Sequence, residues 1–207
     1  NPDARRFLRD LEVICTRRVV RHRERAFVRP TTSGTACDPA HESSADDLSA
    51  ATGTNWRLVT DQVMGGVSEA RVRRTTVAGR AALQLTGDVS LANNGGFIQS
   101  RLPLSGPGAA FDASAWTGFA VTLRGEPGPY YLHVRSADTR LPWQHYRAHL
   151  PVEADWQRVV VPFSAFYPQR LNKPLDPQRL HAVAVVAYGE AFEAHVEIAR
   201  LELTAER

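Results

Sequence analysis

From Trp56 onward the chain is a succession of short apolar runs, each closed by a turn before a helical period can develop. Strands are expected near Ser68–Thr76, Ala81–Leu91, Gly96–Leu102, Gly118–Arg124, Tyr130–Ser136, Gln144–Leu150, Gln157–Pro162, Ala182–Tyr188 and His195–Leu203. Alternation supports them: Leu132 and Val134 share one face, and Tyr131, His133 and Arg135 share the other. In the last run the apolar phase slips at Arg200, as it does at a bulge. Gly79-Arg80 and the Gly/Pro-rich stretches 125–129 and 172–177 read as turns, and Pro177–Leu180 as one helical turn capped by Asp176. Such strands without crossover helices make an antiparallel sandwich. With no Cys…Trp…Cys pattern, a jelly roll is expected rather than an immunoglobulin-like sandwich. Trp116, Trp156, Phe163 and Phe166 are expected to pack in the core or along an edge. Val159-Val160-Val161 fits burial on both sides, and Pro162 suits an edge or strand end.

Two turns stand out. Asp61-Gln62-Val63-Met64-Gly65-Gly66-Val67-Ser68 and Asn93-Asn94-Gly95-Gly96-Phe97 each join polar side chains to a glycine pair and then enter a strand. Paired glycines permit positive φ or close approach of another chain segment. We expect the two turns to lie together at strand ends as tight corners, with Asp61, Asn94 and Arg101 setting their geometry and Arg101 paired with Asp61. A phosphate loop is excluded: no Lys-Ser/Thr follows either glycine pair and no helix begins there.

Residues 1–52 differ from the rest. Nine arginines crowd the first thirty positions among apolar residues at a loose helical period, and 31–54 turns to Ser, Thr, Ala, Gly and Asp. We expect a basic, poorly ordered or partly helical extension and flexible linker over 1–52, and one folded domain over 53–207. Asp3, Asp10, Glu12 and Glu24 argue against a transit peptide, and the apolar run from Leu11 to Cys15 is too short for a secretory signal. The missing initial Met is expected of a processed or truncated chain. Both cysteines, Cys15 and Cys37, precede the folded part, which suits a reducing compartment. Lys173 is the sole lysine among 25 basic residues, a skew that reads as GC-rich codon usage. The net charge of +3 is too small to indicate a nucleic-acid partner, and no apolar stretch is long enough for a membrane-spanning helix.

No enzyme motif emerges. His145 and His149 share a strand face but stand about 13 Å apart, too far for one zinc. Asp88, Asp112, Glu126, Asp138, Glu153 and Glu190 are scattered carboxylates that nothing in the sequence draws into a catalytic pair. We therefore expect no catalytic residue, no metal and no cofactor. Exposed aromatics offer a different function, a sugar platform formed by Tyr131, Trp143 and Tyr146.

Trp56, the segment Asp61–Ser68, Leu85–Leu91 and Asn93–Arg101 in order resemble the complex I intermediate-associated protein 30 family. Gly118-Phe119, Tyr131–Arg135, Trp156–Phe166 and Pro174–Pro177 extend the resemblance over about residues 55–204. It implies an all-β, galactose-binding-domain-like jelly-roll sandwich. For the mitochondrial relatives it also implies a non-enzymatic, chaperone-like role in assembling respiratory NADH:ubiquinone oxidoreductase. Asp61, Met64, Gly65, Gly66, Ser68, Asn94, Gly95, Gly96, Phe97 and Arg101 match its signature and are the candidate binding residues. The expected partner is a polypeptide such as a complex I subunit or assembly intermediate, with carbohydrate binding as the alternative. The expected compartment is the bacterial cytoplasm, or the mitochondrion for a eukaryotic chain.

Overall fold

The computed structural model describes residues 43–47 (backbone only), 55–106 and 108–206. The basic segment, both cysteines and most of the linker lie outside the described residues. Within the stretch read as linker, Ser43–Asp47 forms a strand, β1. Then follow β2 (Arg57–Thr60), β3 (Glu69–Val77), β4 (Arg80–Val89), β5 (Phe97–Pro103), β6 (Gly118–Gly125), β7 (Tyr130–Ser136), β8 (His145–His149), β9 (Gln157–Pro162), β10 (Tyr167–Gln169), β11 (Leu180–Tyr188) and β12 (Phe192–Thr204). All nine expected strands are present. The short β2 and β10 carry too few residues for alternation to reveal them.

The strands form two antiparallel sheets. Sheet A runs β3-β4-β12-β6-β9 and sheet B runs β10-β8-β7-β11-β5-β2. Consecutive strands cross repeatedly between the sheets, as a jelly roll requires. β12 is long enough to serve several partners: β4 pairs with Phe192–Ile198, and β1 pairs with Arg200–Leu203 beyond it. Its pairing with β6 shifts register between Ile198 and Arg200, which is the slip expected at Arg200. The turn Pro177–Arg179 is also as expected, with the Asp176 carboxylate accepting from Gln178 N–H at 3.0 Å.

The apolar faces of the two sheets meet in one core. Leu85, Phe119, Leu123, Val196, Ile198 and Leu201 from sheet A oppose Ile98, Leu132, Val134, Tyr146, Val183 and Val185 from sheet B, all fully buried. Phe119 takes edge-on contacts from Phe163 and Phe166, with centroids at 5.4 and 6.2 Å. Tyr130 crosses the layers, its hydroxyl accepting from His195 N–H of β12 at 2.8 Å. One expectation fails: of the three valines in β9 only Val161 is fully buried. The strand is an edge of sheet A, so its outer flank has no covering neighbour. Truncating Phe119 to Ala should cost about 3–5 kcal/mol in urea unfolding, whereas Leu141→Ala on the exposed surface should stay within about 0.5 kcal/mol.

Candidate functional site

The two glycine turns do meet, and Asp61 joins them. Asp61 opens a single 3-10 turn, Asp61–Met64, and its side chain is fully buried. One carboxylate oxygen accepts from Ser68 N–H at 3.0 Å. The other accepts from the Ser68 hydroxyl at 2.5 Å, Gly96 N–H at 2.6 Å and Phe97 N–H at 3.3 Å. Ser68 in turn accepts from Ser90 N–H at 2.9 Å, so the starts of β3 and β5 and the end of β4 converge on one carboxylate. Gly96 extends the clasp to β11 by accepting from Gly189 N–H at 2.9 Å.

Glycine is required here for two reasons. Gly65 ends the 3-10 turn at φ +90°, where a Cβ is disfavoured. A Cβ on Gly66 or Gly95 would collide with the Asp61 carboxylate itself. Asn93 and Asn94, at φ 54° and 58°, occupy the left-handed region that Asn tolerates better than most residues. Burial alone would raise the Asp61 pKa. The Ser68 hydroxyl, Gly96 N–H and the N–H groups of Ser68 and Phe97 outweigh it and hold the carboxyl below its ordinary value.

The expected Arg101–Asp61 pair is not made. Neutral donors satisfy Asp61, while Arg101 points into a cleft on the outer face of sheet B. This cleft has a volume of about 510 Å³. Its floor is Ala182 and Ala184 of the central strand β11, whose small side chains leave a hollow. Ala184 is flanked by Arg101 on one side and His133 on the other. Arg135, His145, Gln99 and Tyr188 line it further, and Val63, Met64, Asn94 and Phe97 of the two turns form one rim. Of the signature residues, Met64, Asn94, Phe97 and Arg101 thus face the cleft, and Asp61, Gly65, Gly66, Ser68, Gly95 and Gly96 build the corner beside it.

The cleft is cationic. No Asp or Glu is among its lining residues. Arg135 is held by the carbonyls of Thr139, Leu141 and Pro142 at 2.8–3.1 Å. Among the described residues the buried Nε of Arg101 has no hydrogen-bond partner, nor has the buried Nε2 of His133 or of His145. The two imidazoles stack at 4.1 Å. Nδ1–H of His145 donates to the Trp143 carbonyl at 3.2 Å, which leaves its Nε2 as a bare acceptor. Burial pushes His145 down to about 4, assisted by Arg147 and Arg135 and opposed by the Trp143 bond. Burial, then His145 and Arg147, put His133 well below its ordinary value. Both rings are neutral at pH 7.

The expected aromatic platform of Tyr131, Trp143 and Tyr146 is not assembled. Alternation along β8 sends His145 and Arg147 outward and Tyr146 into the core, where it is fully buried. The Arg147 guanidinium lies over the rings of Tyr131, Tyr167 and Tyr188 at 5.2–5.6 Å, so the Tyr131 face is already covered. Trp143 alone stays available, 50% exposed at the cleft edge. The sequence alone does not mark His133 and His145 as ligand-facing groups. The usable signal was their alternation with Arg135 and Arg147, but pairing β7 with β8 needs register that one strand does not carry. Among the described residues no cluster of His, Cys, Asp and Glu is fit to hold a metal.

Fold and site together define a jelly-roll module of the galactose-binding-like class with a cleft on the outer face of one sheet. The chain belongs to the complex I intermediate-associated protein 30 family, whose model matches residues 45–191. No curated protein sequence matches it significantly. Among solved structures it is similar to the family 11 carbohydrate-binding module of a cellulosomal cellulase of Clostridium thermocellum, with a TM-score of 0.63 at 13% identity over 82% of this chain and 97% of that one. The same module in complex with a β-1,3-1,4-mixed-linked tetrasaccharide gives 0.58 at 13% identity, covering 75% and 92%. A family 30 carbohydrate-binding module gives 0.50 at 18% identity, covering 68% and 92%. At such identities the likeness is one of fold.

Asp61→Asn should cost about 1.5–3 kcal/mol in chemical unfolding at pH 7, since it removes charge-assisted hydrogen bonds while keeping the shape. Because the folded pKa of Asp61 lies below the unfolded value, its stabilisation is complete above pH ~4 and is lost as pH falls through the folded pKa; the Asn variant should lack that acid limb. For His145 the folded pKa is about 4, below the unfolded value near 6.5, so the unfolded state alone takes up the proton in between. Stability should therefore fall as pH drops from about 6.5 to 4, and His145→Gln should flatten that slope by one proton's contribution.

Proposed function

We propose that this domain is a non-catalytic binding module that holds a partner polypeptide on the outer face of sheet B, as an assembly factor of respiratory complex I. Family membership supports the assembly role. The observation that carries a polypeptide partner is the apolar rim at the corner pinned by Asp61. Val63 is 70% and Met64 48% exposed, and Val67 and Leu91 stand out on the same corner. Large apolar side chains held in water on a rigid corner beside a cleft mark a contact surface. Rigidity serves this use, because a surface already in its bound shape saves the entropy of ordering it.

A second reading, carbohydrate binding, is favoured by the exposed Trp143 at the cleft edge and by the fold shared with carbohydrate-binding modules. Fold alone is a weak warrant for ligand, and three other rings on this face are occupied by Arg147. Glycan-array binding that disappears in Trp143→Ala would establish this reading against the first.

The polypeptide reading is tested by affinity capture from cells with the tagged full chain. Wild type should recover complex I subunits, and Val63→Asp with Met64→Asp should reduce that recovery roughly tenfold or more, the loss expected for contact hot spots. Normal complex I assembly in a strain lacking the protein would overturn it.

A further inference from the structure

We infer that the sheet B cleft is a carboxylate-binding site, and that its occupant is an acidic side chain of the partner polypeptide. This deepens the polypeptide reading and rests on it. Arg101 is a half-buried guanidinium that has, among the described residues, neither a carboxylate partner nor an acceptor for its Nε. Across Ala184, two strands or roughly 10 Å away along the sheet, His133 is 8% exposed and its Nε2 is equally unpartnered. Buried polar groups are nearly always hydrogen-bonded, and buried cations paired. Arg101 and His133 line one hollow whose lining also holds Arg135 and no Asp or Glu, and that geometry points to an anionic ligand seated between them.

Its chemistry follows from the walls. Arg57 presses on Arg101 and Arg101 on Arg135, and no Asp or Glu is among the lining residues to offset this positive charge. A neutral ligand would leave that charge uncompensated, whereas a carboxylate fits the Arg fork in two parallel bonds. A phosphate dianion fits less well. Arg135 is already committed to three carbonyls, and Arg170 stands exposed at the rim, which leaves Arg101 as the free guanidinium inside. The apolar rim of Val63 and Met64 suits the residues flanking an acidic side chain in a peptide better than the hydroxyl-covered edges of a sugar acid.

The test uses the full chain with 15N-labelled arginine and histidine side chains, observed by NMR. The probes are a short peptide of alternating Glu and Ala, the same peptide with Gln for Glu, trigalacturonate, and inorganic phosphate. The Glu peptide should shift the Arg101 Nε–H and His133 imidazole signals, and the Gln peptide should not. Arg101→Gln should weaken the Glu peptide by roughly tenfold or more, the loss expected for a charge-assisted bond. His133→Gln supplies a second variant, with melting temperature confirming that each is folded. Equal shifts with the Gln peptide, or no shift with the Glu peptide, would overturn the site. A response to trigalacturonate or phosphate that exceeds the peptide's would overturn the assigned occupant. Capture of complex I subunits that survives Arg101→Gln but not the Val63 and Met64 changes would sink the carboxylate site and leave the polypeptide reading standing. Loss of the peptide response with capture unaffected by either set of changes would sink both.

Discussion

One buried carboxylate organises this end of the sandwich. Asp61 takes up Ser68 N–H and hydroxyl, Gly96 N–H and Phe97 N–H, groups that belong to two turns nearly thirty residues apart. A buried charge without such donors would be prohibitive; with them, it becomes the cheapest way to satisfy several backbone groups at once. The glycine pairs are then consequences. Gly66 and Gly95 lack a Cβ because the carboxylate fills that space, and Gly65 supplies the left-handed end of the turn. Because the clasp also reaches β11 through Gly96 and Gly189, the cleft's rim and its floor are held by the same bonded unit.

The strands and the jelly-roll class were legible because alternation and turn residues are local signals. β6, β7 and β9 were bounded to within a residue, and the Arg200 slip appears as a register shift between β12 and β6. The nearness of the two glycine turns was also readable, since each was too polar and too glycine-rich for an idle loop. What the sequence could not supply was the partner of each charge. Asp61 and Arg101 look like a natural ion pair on paper, yet Asp61 is closed by neutral N–H groups first. Tyr146 failed as a platform residue for a related reason: it lies between His145 and Arg147, and the two-residue period decides which of them face outward.

The two outer faces of the sandwich differ in electrostatic character, and that difference bears on where a ligand binds. On sheet A the charges are answered in place. Glu197, nearly buried, accepts from Gln84 at 2.9 Å, meets His195 at 2.9 Å and Arg124 at 3.4 Å, and Gln84 in turn accepts from Arg73 at 2.7 Å. Arg158 reaches Glu206 at 2.9 Å and Arg200 reaches Glu202 at 2.6 Å. On that face the named carboxylates each meet a basic side chain of the same sheet or the chain end beside it. On sheet B, Arg101 and two imidazoles face a hollow without an acid, and Arg147 is covered by tyrosine rings rather than paired with a carboxylate.

Conformational economy alone does not account for this contrast. A fold selected only for stability would place an acid opposite Arg101 or replace it by an apolar residue, either of which removes the cost of a half-buried lone cation. Keeping the charge, the neutral imidazoles and the alanine floor together lowers stability on the same strands that the Asp61 clasp reinforces. The clasp thus offsets, at the rim, part of the stability cost of the cleft. A surface of this kind, stiff at its rim and unsatisfied at its centre, gains most when a partner brings the missing negative charge.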